Sequence, residues 1–225
     1  MALILNLETA TKNCSVSLSN NGEIIALKEL NSGGFSHAEK LHPFIEDVLN
    51  ESNFCLEDID AVSVSKGPGS YTGLRIGVSA AKGICFGNDI PLIAIPTLES
   101  LASSQKGKDY ILVPMLDARR MEVYASIYNP DIVEIRKTEA EIIDENSYSE
   151  YLEKGKVLFF GDGAEKCKEI IKHENAEFID GVFPSAKEMG EIAEKMFNEN
   201  KFEDSAYFEP FYLKDFIATK SLKRG

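Results

Sequence analysis

Basic side chains are scarce in this 225-residue chain: 24 Lys and Arg stand against 37 Asp and Glu, a net charge of −13. Positions 1–100 carry 6 basic and 12 acidic side chains and the remainder 18 and 25, so both halves are acidic. Nucleic-acid backbones are gripped by clustered Lys and Arg, so neither half reads as a stand-alone nucleic-acid binder, and any nucleic acid would need a basic partner to hold it. Cysteine is sparse as well. Cys14, Cys55, Cys85 and Cys167 include no C-x-x-C and stand at least 30 residues apart, a pattern of reduced thiols in a cytoplasmic protein rather than a disulfide framework or zinc site. Apolar runs such as 111–116 and 157–160 fall far short of the roughly 20 residues of a membrane helix. The first residues have no basic stretch, and Asn6 and Glu8 interrupt their apolar run, so a strand is expected there and not a signal peptide. With 16 Gly and 8 Pro, collagen-like and low-complexity sequence is excluded. What remains is 44% hydrophobic, enough for a packed core in one large domain or two of ordinary size.

The first half opens with strands at 2–7, 15–19 and 23–30, the last two joined by Asn20-Asn21-Gly22, a strong hairpin signal. A helix is expected over about 36–50, where Ala38, Leu41, Ile45, Val48 and Leu49 form one stripe; Pro43 should kink it or delay its start. A buried strand at 60–65, a helix at about 72–86, a strand at 91–95 and a helix from Thr97, as N-cap, to 104 complete this half. The polar stretch 103–109 suggests a boundary, giving units 1–104 and 105–225. The second half shows strands at 110–116, 122–128, 132–138 and 157–160, then helices at about 164–172 and 186–198. Two acidic halves that each begin with three strands suggest a structural repeat of the α/β class with mixed sheets.

Residues 67–77 read Gly-Pro-Gly-Ser-Tyr-Thr-Gly-Leu-Arg-Ile-Gly. They join a buried strand to a helix, with Ser70 and Thr72 placed to cap it and free first-turn amides that favour an anion; on the loop alone a tight turn without ligand is the preferred reading. No lysine follows Gly73, and Thr72 stands where a dinucleotide fingerprint needs glycine, so neither phosphate pattern fits. On the helix, Gly73, Gly77, Ala80, Ala81 and Ile84 share a face. Each helical glycine costs about 1 kcal/mol relative to alanine, so a close backbone approach is expected, either from the chain's own sheet or from another subunit. Leu74, Val78 and Cys85 on the opposite side can seat the helix on its sheet, which tilts the reading toward a subunit interface and predicts that Gly77→Leu breaks a dimer but leaves the monomer folded.

These segments, together with 79–83, PLIAIPTLESLA (91–102), ILNLETAT (4–11), His37-x-x-x-Leu41-x-Pro43, LDARRMEVYAS (116–126), Gly161-Asp162-Gly163-Ala164 and EPFYLK (209–214), resemble the TsaB (YeaZ) family of tRNA threonylcarbamoyladenosine biosynthesis proteins over nearly the whole chain. The resemblance implies a two-domain fold of the actin/Hsp70/sugar-kinase type. It also implies a non-catalytic subunit that pairs with the related catalyst TsaD. With the ATPase TsaE, TsaD places a threonylcarbamoyl group on adenosine 37 of tRNAs reading codons that start with A. Alone, such a chain is expected to form a homodimer through the same surface, with tRNA met only through the complex. The surface implied uses the two first-half helices, with His37, Leu41, Ile45, Tyr71, Gly73, Leu74, Arg75, Gly77, Ala80, Ala81 and Ile84.

TsaD holds a metal through two helical histidines four residues apart. Here His37 and His42 are five apart, about 140° around a helix, and Leu41 takes the fourth position, so no metal site is expected. Glu8 and Thr9 fall where the fold places an acidic residue facing nucleotide magnesium, and Asp117 where a second carboxylate would stand. A charged strand end and an ion pair with Arg119 or Arg120 are the preferred readings. Gly161, Asp162 and Gly163 correspond to an adenosine-contacting turn. Without a phosphate-gripping lysine, no cofactor and at most weak ATP or ADP binding is expected. An ATP-dependent small-molecule kinase or ATPase is the alternative. A peptidase, suggested only by the family's older link to M22-type glycoproteases, lacks H-E-x-x-H and a Ser/His/Asp set, and Ser63-x-x-Lys66 sits in a strand, not at a helix start. The basic end with Lys220, Lys223 and Arg224 reads as a solvated terminus.

Overall fold

Apolar and small residues make three strands in succession, Leu3–Glu8 (β1), Cys14–Asn20 (β2) and Glu23–Leu30 (β3), paired as an antiparallel meander. Asn21 (φ +53°) and Gly22 (φ +80°) take the left-handed conformations a tight β2–β3 hairpin needs. The structure is a computed structural model and describes residues 2–31 and 36–214; the basic end with Lys220, Lys223 and Arg224 lies outside them. His37–Ser52 (α1), Ala61–Gly67 (β4), Tyr71–Asn88 (α2), Leu92–Pro96 (β5) and Thr97–Ser103 (α3) follow. β4 joins β1 in parallel and β5 joins β4, giving the order β3-β2-β1-β4-β5.

The second half repeats this. Ile111–Asp117 (β6), Glu122–Tyr128 (β7), Glu134–Ile142 (β8), the single turn Ser149–Leu152 (α4), Val157–Phe160 (β9), Ala176–Ile179 (β10) and Met189–Asn198 (α5) include a sheet ordered β8-β7-β6-β9-β10. Two five-stranded mixed sheets of one topology make this the α/β fold of the actin/Hsp70/sugar-kinase type.

Several local expectations change. α1 runs unbroken through Pro43, so its start is not delayed. Pro96, not Thr97, occupies the cap of α3, and Thr97 is fully buried as the first helical residue. The helix expected over 164–172 is one 3-10 turn, Glu165–Cys167, because the short β9–β10 crossover closes through i→i+3 bonds such as Cys167 N–H to Ala164 O. β10 was not anticipated.

The helices sort across the expected division between 1–104 and 105–225. One face of the first sheet packs on α1 and α2 through Leu5, Leu7, Leu41, Val48, Val64 and Val78. Its other face, with Ile4, Ile93 and Ile95, is covered by Ala186, Met189 and Ala193, which come from the second half. Conversely Leu98, Leu101 and Ala102 of α3 pack against Leu112, Leu116, Leu158 and Phe160 of the second sheet. Each half lends its last helix to the other's sheet. At about 1.5–3 kcal/mol per buried Leu, Ile or Met side chain, this exchange ties the halves together strongly.

Candidate functional site: a sealed strand end and an open helical face

At the end of β1 the chain turns inward. Glu8 is fully buried; Ser65 Oγ donates to its Oε2, and Ala10 N–H donates to its Oε1 at 2.6 Å. Burial pushes its carboxyl up to about 7, with Glu188 adding to the rise and the bonds from Ser65 and Ala10 opposing it. Thr9 is equally buried, and its Oγ1 donates to Gly73 O at 2.8 Å. This contact decides the small-residue face of α2. A Cβ on Gly73 would stand 2.1 Å from Thr9 O, and one on Gly77 would stand 2.3 Å from Thr9 Oγ1. The backbone that comes close is the chain's own β1–β2 turn, so the reading of Gly73 and Gly77 as contact points for another subunit is overturned.

The same holds for their neighbours. Leu41, Leu74 and Ala81 are fully buried and Ile45 nearly so, all within their own protomer. His37 is 2% exposed and its Nε2 lies 2.7 Å from Thr11 O; burial lowers its pKa. His42 is exposed on a different side of α1. Ala80 is at the border, 9% exposed.

Of the expected interface set, Tyr71, Arg75, Ala80 and Ile84 do reach the outside. They line a shallow groove with Ala38 and His42 of α1 and with Thr72, Ile76, Ser79 and Gly83 of α2. Beside it Phe86 is 88% exposed, and a Cβ on Gly83 or Gly87 would meet nothing within 4 Å. The helix thus has two glycine pairs at i, i+4 spacing. Gly73 and Gly77 face inward, while Gly83 and Gly87 face outward. The spacing of the second pair was visible in the sequence, but the direction was not.

In the second half, the Asp117 carboxylate pairs with Lys166 rather than with Arg119 or Arg120; Arg119 contributes only its backbone N–H, at 3.1 Å. Lys166 Nζ also donates to Arg120 O at 2.8 Å and Glu122 O at 2.6 Å. Asp162 Oδ1 accepts from Asp117 N–H at 3.0 Å, and burial raises its carboxyl. Gly161 (φ +102°) has no room for a side chain, since a Cβ would stand 2.2 Å from Met115 O, and a Cβ on Gly163 would stand 2.7 Å from Leu116 C. The 161–163 turn is therefore glued to the end of β6. It faces the β1–β2 turn closely enough for Lys12 to moderate Asp162. Glu8 and Thr9 at the end of β1, and Asp117, Gly161, Asp162 and Gly163 at the end of β6, are each held by hydrogen bonds, an ion pair or close packing within the chain. Among the described residues no helix is long and apolar enough to cross a membrane.

Comparison with known proteins accords with this geometry. The family model of TsaD, tRNA N6-adenosine threonylcarbamoyltransferase, matches residues 34–222. The tRNA threonylcarbamoyladenosine biosynthesis protein TsaB of Escherichia coli is 34% identical over 227 residues, 97% of each chain. That of Haemophilus influenzae is 30% identical over 230 residues, 97% of this chain and 96% of the relative. A tRNA N6-adenosine threonylcarbamoyltransferase of Bacillus thuringiensis is 37% identical over 108 residues, 41% of this chain and 32% of its own. The structure of YeaZ from Pseudomonas aeruginosa superposes with a TM-score of 0.79 at 23% identity, over 95% of this chain and all of that one, and so shares the fold. With near-complete coverage at these identities, the chain belongs to the TsaB (YeaZ) family.

Proposed function

We propose that the chain serves tRNA threonylcarbamoyladenosine biosynthesis as a non-catalytic subunit that docks on the catalytic relative TsaD through the outer face of α1 and α2. The observation that carries this is the composition of that face. Ile76, Ile84 and Phe86 expose apolar surface, Tyr71 and Arg75 supply the aromatic and guanidinium groups in which interface centres are rich, and Ser79, Gly83 and Gly87 leave space for a partner backbone. Alone, the chain pairs with a second copy through the same face, so the homodimer and the complex with TsaD compete. tRNA and the ATPase TsaE are engaged only within the complex, which fits a chain of net charge −13.

These two strand ends support a subunit without chemistry of its own. Glu8 is enclosed with both carboxylate oxygens accepting hydrogen bonds from its own chain, and Asp117 is neutralised by Lys166, so neither is poised to hold magnesium. The kinase or ATPase alternative needs these groups free.

Sedimentation of the chain mixed with TsaD from the same organism tests the proposal. A stoichiometric complex is expected, and Ser79→Arg abolishes it without changing the melting temperature. Undiminished tRNA modification in the absence of this chain overturns the reading. Micromolar Mg-ATP binding with turnover by the chain alone favours the kinase or ATPase.

A further inference from the structure

The docking face is bordered by an element from the far end of the chain. Residues 202–214 return to the first sheet: Glu203 N–H donates to Leu92 O at 2.9 Å and Phe211 N–H to Lys66 O at 2.7 Å. Lys82 Nζ donates to Ala206 O at 3.1 Å and Phe208 O at 3.0 Å. At Gly67 (φ +112°) a Cβ would stand 2.6 Å from Phe211 O, so the glycine that opens the 67–77 loop is also what allows this strap to lie against it.

The strap delivers Tyr212 to the first turn of α2. Its ring centroid is 4.9 Å from that of Tyr71, and its hydroxyl accepts from Arg75 Nε at 3.3 Å. Arg75 Cζ in turn lies 4.1 Å from the Tyr71 ring centroid. Two of the three side chains belong to the groove wall. Two residues further on, Lys214 pairs with Glu122 at the start of β7, so the strap touches both the groove and the second sheet.

We infer that Tyr212 is a positioning residue for docking: it holds Arg75 and Tyr71 in the arrangement they present to the partner, which makes the C-terminal strap part of the interface. The inference rests on the docking reading above. An unrestrained arginine loses rotamer freedom when a partner immobilises it. Stacking on Tyr71 and bonding to Tyr212 meets that cost before association, which is how pre-organisation strengthens binding. Arg75 Nε is taken by Tyr212, which leaves the terminal amino groups for a bidentate acceptor. A partner carboxylate fits them.

Calorimetric titration of TsaD from the same organism into the parent, Tyr212→Ala, Tyr212→Phe, the double variant Tyr71→Ala/Arg75→Ala, and the triple variant tests this. Tyr212→Ala is expected to weaken binding about tenfold and Tyr212→Phe by less than about threefold, since the ring remains. In the background lacking Tyr71 and Arg75, Tyr212→Ala costs less than about twofold, because its targets are gone. Should Tyr212→Ala fail to fold, Tyr212→Leu keeps the bulk and serves the same cycle. Equal losses in both backgrounds make Tyr212 a structural support only and overturn the inference, as does parent-like affinity of Tyr212→Ala. Parent binding with no coupling sinks the positioning role alone; absence of parent binding sinks the docking reading and the inference with it.

Discussion

Gly73→Ala separates an inward-facing glycine from an outward-facing one. Alanine raises helix propensity by about 1 kcal/mol, and at an open position that gain is realised in full. At position 73 the new Cβ would lie 2.1 Å from Thr9 O, where ordinary contact begins at 3.4 Å. Either α2 or the β1–β2 turn must move by more than an ångström, and the obstacle is a backbone carbonyl that cannot rotate away. Overpacking of this kind costs about 1–3 kcal/mol, and loss of the Thr9 Oγ1 bond to Gly73 O costs about 1 kcal/mol more. The net expectation is a destabilisation of about 2 kcal/mol, or a fall in melting temperature of about 4–8 °C for a chain of this size. Gly83→Ala on the same helix meets nothing within 4 Å and should raise the melting temperature by about 2–4 °C. Thermal unfolding followed by circular dichroism reads both. If the two shift in the same direction, or Gly73→Ala matches the parent, the packing of α2 against Thr9 is wrong. Gly77→Leu, expected from the sequence to break a dimer cleanly, should instead damage the monomer, because its side chain is driven into Thr9.

Further outcomes follow from the buried groups. Because the folded-state Glu8 carboxyl sits at about 7 against 4.5 ordinarily, the unfolded chain releases that proton first; stability falls as pH rises from about 4.5 to about 7, by on the order of 3 kcal/mol. Glu8→Gln should gain that much on the parent between pH 4 and pH 8 in urea titrations, and a pH-independent gap refutes the assignment. Lys166→Ala removes one ion pair and two carbonyl contacts at once and should cost about 1–3 kcal/mol by the same titration, more than an exposed ion pair is worth; a change below about 0.5 kcal/mol contradicts the tethering of Asp117. Of the four thiols only Cys55 is exposed, while burial pushes Cys14, Cys85 and Cys167 up to about 11, so a colorimetric thiol reagent should titrate one equivalent from the native chain and four after denaturation.

Much of the fold was legible because its signals are local. The Asn-Asn-Gly hairpin, the strand Glu23–Leu30, the hairpin strand Glu122–Tyr128, the buried strand Val157–Phe160 and the repeat of three opening strands all stand where residue pattern places them. Ser70 accepts from Gly73 N–H at 3.3 Å, as a capping residue should. β10 escaped because Ala176–Ile179 is only four half-buried residues with no alternation to read.

The candidate site divided along a different line. Residue types and spacing were enough to single out α2 and to set His37 and His42 on separate faces, since these follow from helical periodicity, whereas Glu8, Asp117 and the 161–163 turn were grouped by the resemblance to the family. Which side of α2 meets solvent, that Lys166 rather than an arginine beside it neutralises Asp117, that α3 and α5 change places between the sheets, and that Tyr212 returns to stack on Tyr71 all depend on contacts between elements distinct in sequence, the Asp117–Lys166 pair spanning 49 residues and the Tyr71–Tyr212 stack 141. Periodicity gives a helix a small face and a bulky face but no reference direction. Direction comes only when another part of the chain, here the carbonyl and hydroxyl of Thr9, occupies the space beside it.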